Sequence, residues 1–164
     1  MKLCSACLLG INCKYDGKNN LDKAPKELLK EFKKGNLIPI CPEQLGGLPT
    51  PREKARIRGG DGYDVLKKKA QVITESKKDV TKEFLRGAKE VLKIAKKLKI
   101  KEAILKQRSP SCGCGQIYKA IFDKKGNFLD KIIKGDGVTS ALLKQNGIKV
   151  KTEEDLFKGL GYWS

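Results

Sequence analysis

Apolar residues in this chain come in short runs, separated by stretches rich in lysine, glycine and proline. Residues 2–8 form the first run, which reads as a buried strand ending near Gly10. Residues 11–24 are polar and turn-rich. Pro25 then opens a helix over 25–34, with Leu28, Leu29 and Phe32 on its apolar face and Gly35 as its stop. Leu37–Ile40 is a second apolar strand, running into Cys41-Pro42-Glu43. Residues 44–62 hold several glycines and prolines and read as an ordered loop, and 72–74 as a short strand.

The clearest pattern lies at 79–99. Val80, Phe84, Ala88, Val91 and Ala95 recur at helical spacing behind Asp79, a favourable N-cap. A buried strand follows at 103–105 and runs into Ser109-Pro110-Ser111-Cys112-Gly113. Residues 117–122 and 128–133 flank a polar turn and predict a β-hairpin. A helix over 137–146 closes at Gly147, a strand follows at 148–150, and 153–157 makes a final helical turn. Strands alternating with helices predict one α/β domain over 1–164, three-layered, with a largely parallel sheet.

In open parallel sheets, sites form beyond the C-terminal ends of the strands. Three of the apolar strands end in cysteine-containing loops, which carry Cys7, Cys41 and Cys112. If those strands are parallel neighbours, the three thiols meet at one rim. Convergent thiolates suit zinc or an iron–sulfur cluster. Cys4 lies three residues from Cys7 on an extended strand, so alternation points it to the other face. Cys13 and Cys114 share loops with Cys7 and Cys112, as spare ligands, sulfur acceptors or inert thiols.

Composition narrows the chemistry. The 164 residues include six cysteines and no histidine. Ser-His-Asp and Cys-His pairs and His-ligated zinc are therefore excluded. No apolar stretch approaches the roughly 20 residues of a membrane span. The N-terminal run is interrupted by Ser5, Gly10 and Asn12 and lacks a cleavage site, so it reads as strand and loop rather than export signal. The expected compartment is cytoplasmic and reducing, where cysteines are metal ligands or reactive thiols rather than disulfides. Lys+Arg 36 against Asp+Glu 19 gives +17. That charge raises a second function class, a nucleic-acid-binding metal protein or an RNA thiolation or dethiolation enzyme. The basic residues are spread along the chain, which weakens that reading. A zinc-bound structural module is a further alternative.

The motifs Ser5-Ala6-Cys7-Leu8-Leu9-Gly10, Cys13-Lys14-Tyr15-Asp16-Gly17 and Ser109-Pro110-Ser111-Cys112-Gly113, together with the run from Cys41 to Arg52, resemble the TudS-like thiouracil desulfurase family. The likeness extends over nearly the whole chain. It implies a Rossmann-like fold and a [4Fe-4S] cluster held by Cys7, Cys41 and Cys112. It also implies non-redox removal of sulfur from a small thiolated base. A monomer or homodimer is expected. By itself Glu43 serves as readily as a helix N-cap or surface carboxylate as it does in catalysis; the resemblance implies the catalytic role, in activating water. Ser109 and Ser111, an ordinary turn around Pro110, become candidates for binding substrate or relaying protons. Lys106 and Arg52 are candidates for orienting the base or offsetting cluster charge, and Tyr15 is expected to be packed.

Overall fold

The computed structural model describes residues 1–159. The chain begins with β1 (Lys2–Ser5), a 3-10 turn (Ala6–Leu9), α1 (Lys26–Lys33), β2 (Leu37–Ile40) and α2 (Pro42–Leu45). It continues through β3 (Ala55–Arg58), α3 (Gly62–Leu66), β4 (Gln71–Thr74), α4 (Thr81–Lys97) and β5 (Glu102–Leu105). It ends with β6 (Gln116–Tyr118), β7 (Ile132–Lys134), α5 (Val138–Gln145), β8 (Lys149–Thr152) and α6 (Glu153–Gly159).

The central sheet has the order β2-β1-β5-β8, with all neighbours parallel. Side chains alternate across it, as strand geometry requires. Leu3, Ala103 and Leu105 face α4 and α5, where they meet Val91, Ala95 and Leu143. Cys4 and Ile104 face the other way, onto Leu28 of α1 and Leu156 of α6. Helices on both faces make the three-layer, Rossmann-like α/β architecture. From β1 the chain moves outward to β2, then crosses back to β5 on the other side of β1. The reversal opens a crevice at the C-terminal ends of β1 and β5, the usual ligand position in such sheets. The antiparallel pairs β3–β4 and β6–β7 contribute Ile57, Val72 and Ile117 to a second apolar cluster around Phe84 and Val138.

Several boundaries differ from expectation for identifiable reasons. The first strand stops at Ser5, because Ala6–Leu9 coils into a 3-10 turn closed by Gly10 at φ +87°. Strand alternation therefore does not extend to Cys7; Cys4 is set apart because it is fully buried among Leu28, Leu37 and Ile104. The expected loop over 44–62 contains β3 and follows the single-turn α2, elements too short to show a period. Asp79 does not cap α4 as its N-cap residue; it stands one position earlier and its carboxylate accepts the Thr81 N–H at 2.9 Å.

One packing contact matters for the site. A Cβ on Gly46 would collide with the Glu83 carbonyl of α4, and one on Gly87 with the Pro42 carbonyl of α2. The two glycines let α2 lie against α4 backbone to backbone, and α2 carries Glu43. Gly87→Ala should cost about 1–3 kcal/mol through overpacking, read as a lower urea midpoint with unchanged slope. A midpoint equal to the parent's would mean that the contact is not tight.

Candidate functional site

A cavity of about 600 Å³ opens at the C-terminal ends of the sheet, and Cys7, Cys13, Cys41, Glu43, Ser109 and Cys112 all line it. Each is delivered by a short connection. Cys7 sits on the 3-10 turn after β1, Cys41 precedes α2, and Cys112 lies in the turn after β5. The predicted convergence at one rim is thus present. Cys114 turns away, its thiol directed at the Val150 carbonyl at 3.8 Å.

Polar groups surround the thiols. The Asn20 amide donates to Cys7 Sγ at 3.3 Å. The Ser5 hydroxyl donates to Cys112 Sγ at 3.5 Å and accepts the Lys106 N–H at 2.9 Å. Contact with the Cys13 thiol holds the Cys7 thiol below its ordinary range against the opposing effect of burial, with Asn20 adding to the shift. Burial pushes the Cys112 thiol up, and the nearby Glu43 carboxylate adds to that. Its contacts with Cys41 and Cys7 push the Cys13 thiol up, and burial adds to the shift.

Glu43 is held from behind. The Ser111 hydroxyl donates to its Oε1 at 2.6 Å, and the Cys41 thiol lies 3.6 Å from Oε2. Ser111 is fully buried, and its Oγ is 3.0 Å from Ser109 Oγ. Ser109 Oγ also accepts the N–H groups of Ser111 and Cys112, at 3.2 and 3.1 Å. With Ser111 donating to Glu43, the Ser109 hydroxyl donates to Ser111, giving a hydroxyl chain from the cavity to the carboxylate.

The basic residues divide. Lys106 pairs with the buried Glu153 at 2.9 Å beside the cavity wall. Arg52 is committed to structure: its guanidinium donates to the Cys13 carbonyl at 2.9 Å and to Thr50 Oγ1 at 3.1 Å. Tyr15, expected to be packed, is 37% exposed, with the ammonium groups of Lys14 and Lys54 over its ring. Sequence reasoning missed Asn20, Ser5 and Glu153 as supports of the thiols and of Lys106. Among the three, only Ser5 carried a signal, its place beside Cys7 in a recognisable motif.

The donor set suits a multinuclear cluster better than a single ion. Among the described residues, no three Cys, Asp or Glu side chains converge on the one point a single metal ion needs. A cluster takes its thiolates at separate corners. Soft thiolates with hydrogen-bond donors behind them are the surroundings such a group requires. All six cysteines are free thiols. Among the described residues, no helix is long and apolar enough to cross a membrane.

Comparison with known proteins gives a consistent result. The family model described as 2-thiouracil desulfurase matches residues 3–155. The uncharacterized protein YbbK of Bacillus subtilis (strain 168) is 45% identical over 156 residues, 95% of this chain and 97% of that one. Among solved structures, the [4Fe-4S]-dependent thiouracil desulfidase TudS superposes with a TM-score of 0.80 at 39% identity, covering 96% of this chain and 93% of that one.

Proposed function

This chain belongs to the 2-thiouracil desulfurase family, and from that premise we propose that it is a [4Fe-4S]-dependent, non-redox desulfidase acting on a thiolated nucleobase as a single cytosolic domain over 1–164. The observation that carries this reading is the meeting of three strand-end thiols, those of Cys7, Cys41 and Cys112, with Glu43 on one cavity. Those thiols would hold the cluster, which supplies a Lewis-acidic iron for the thione sulfur of the substrate.

The reaction exchanges sulfur for oxygen at the ring carbon. Water adds, the C–S bond breaks, and hydrosulfide leaves with no net electron transfer. Glu43 takes the proton of the attacking water, held toward the cavity by Ser111. The hydroxyls of Ser109 and Ser111 donate in series toward Glu43 and keep its carboxylate placed for that proton, which then passes to the departing sulfur. Ser109 touches the substrate, whereas Ser111 acts through Glu43. Lys106, fixed by Glu153, offsets negative charge gathered at the thiolates.

The rim favours a phosphate-bearing form of the base over the free base. Lys23, Lys54 and Lys78 are exposed and line the cavity mouth, where they raise the local concentration of anions. The test is hydrosulfide release from 2- and 4-thiouracil and from their nucleotides at low and high salt. The expected result is release matched by the oxygenated base, with added salt lowering kcat/KM for the nucleotides only. Absence of release from any thiolated base would overturn the activity. Equal salt response for bases and nucleotides would overturn the phosphate preference.

A further inference from the structure

The cavity has a second wall that the mechanism above leaves unused. Arg56 of β3, Tyr118 of β6 and Asp130, two residues before β7, all line it. Arg56 is only 7% exposed. Its guanidinium lies 4.5 Å from the centre of the Tyr118 ring and 4.7 Å from that of Phe128. Its Nη1 donates to the Leu129 carbonyl at 2.6 Å and its Nη2 to Asp130 Oδ1 at 2.7 Å. A buried, stacked arginine thus fixes an otherwise exposed carboxylate at the cavity. The same guanidinium holds the Asp130 carboxyl below its ordinary range.

Among the described residues, the carboxylates lining the cavity are Glu43, Glu53 and Asp130. Glu43 is engaged by Ser111. Both oxygens of Glu53 accept from Ser76, its N–H at 3.1 Å and its hydroxyl at 2.9 Å. Asp130 keeps one oxygen, Oδ2, that accepts no hydrogen bond from the described residues. Cationic ligands are disfavoured at that acceptor, because Lys54 and Lys78 line the same cavity mouth. Neutral hydroxyl donors remain, and beside a nucleobase these are the hydroxyls of its sugar. A carboxylate accepts ribose hydroxyls in the same way at dinucleotide sites. Space allows a sugar, since a cavity of about 600 Å³ holds ligands well beyond one ring. We infer that Asp130 is a specificity-determining residue, which accepts a ribose hydroxyl of a thiolated nucleoside or nucleotide. This rests on the desulfidase reading above and names the sugar that its substrate carries. Little ordering is lost on binding there, because Arg56 already holds the carboxylate.

The test measures hydrosulfide release by the anaerobically loaded parent and by Asp130→Ala, from thiouracil, 4-thiouridine and 2′,3′-dideoxy-4-thiouridine. Both nucleosides are neutral, so the rim lysines act on them alike. The parent is expected to favour the ribonucleoside about tenfold in kcat/KM, the worth of a hydrogen bond to a charged group, with the difference carried by KM. In Asp130→Ala that ratio should fall close to one, through a higher KM for the ribonucleoside. General damage to the variant would slow both nucleosides together, so the ratio reports the hydroxyl contact itself. A parent that treats the two nucleosides alike would overturn the inference without any variant. A ratio that survives in Asp130→Ala would overturn it as well, as would release from free thiouracil and from neither nucleoside. Absence of release from all three compounds by the loaded parent would defeat the desulfidase reading and this inference with it, whereas an active parent blind to the hydroxyls defeats only the role of Asp130.

Discussion

Alanine at any one of Cys7, Cys41 or Cys112 is expected to abolish cluster binding, with iron and sulfide content falling to background. Each thiol comes from a different strand end, so losing any one leaves only two of the three strand-end thiolates. Cys13 lines the same cavity, but its backbone carbonyl is tied by Arg52 at 2.9 Å. Cys112 is the most deeply buried of the three. Burial holds its proton on, and only the positive charge of bound metal draws that proton off. Its hydroxyl donor Ser5 then has a thiolate to satisfy. Cys4→Ala should keep the cluster, since that thiol is fully buried among Leu28, Leu37 and Ile104 and does not line the cavity. Iron measured per chain after anaerobic loading checks both halves. A Cys112→Ala protein with the iron content of the parent would remove that residue from the ligand set.

The second large effect is on turnover alone. Glu43→Gln keeps an oxygen to accept the Ser111 hydroxyl, and α2 stays seated on α4, so cluster content should match the parent. The amide cannot take a proton, and the rate should fall by about 10²–10⁴-fold, the range of general-base catalysis. Glu43→Ala should lose as much. Ser111→Ala should lose less, because it releases the carboxylate without removing it. Single-turnover rates on thiouracil with cluster content measured on the same samples separate the two effects. A Glu43→Gln rate within a few-fold of the parent would take Glu43 out of the chemistry.

The strand-end cysteines were legible in the sequence because a buried parallel strand is a local signal. An apolar run followed by a glycine- or proline-bearing loop marks its own C-terminal end, and the parallel sheet brings such ends together. The period of α4 was legible for the same reason. The supports of the site were not. Ser5 reaches Cys112 across 107 positions and Lys106 across 101, and Glu153 meets Gln107 across 46. Nothing local distinguishes such a glutamate from a surface residue, and only the motif beside Cys7 marked Ser5. The burial of Arg56 was equally hidden, since it depends on stacking over Tyr118 and Phe128 from a different ladder. The absence of histidine excluded an imidazole base and left carboxylates, lysines, tyrosines and thiols as the groups able to move protons.

The most direct measurement is made on the anaerobically loaded protein: iron and acid-labile sulfide per chain, then hydrosulfide and uracil formed from thiouracil by the same sample and by its metal-free form. The account predicts about four irons and four sulfides per chain, one hydrosulfide for each uracil, and no reaction without the cluster. A colourless protein that retains stoichiometric zinc, or a metal-free protein that turns thiouracil over, would contradict it.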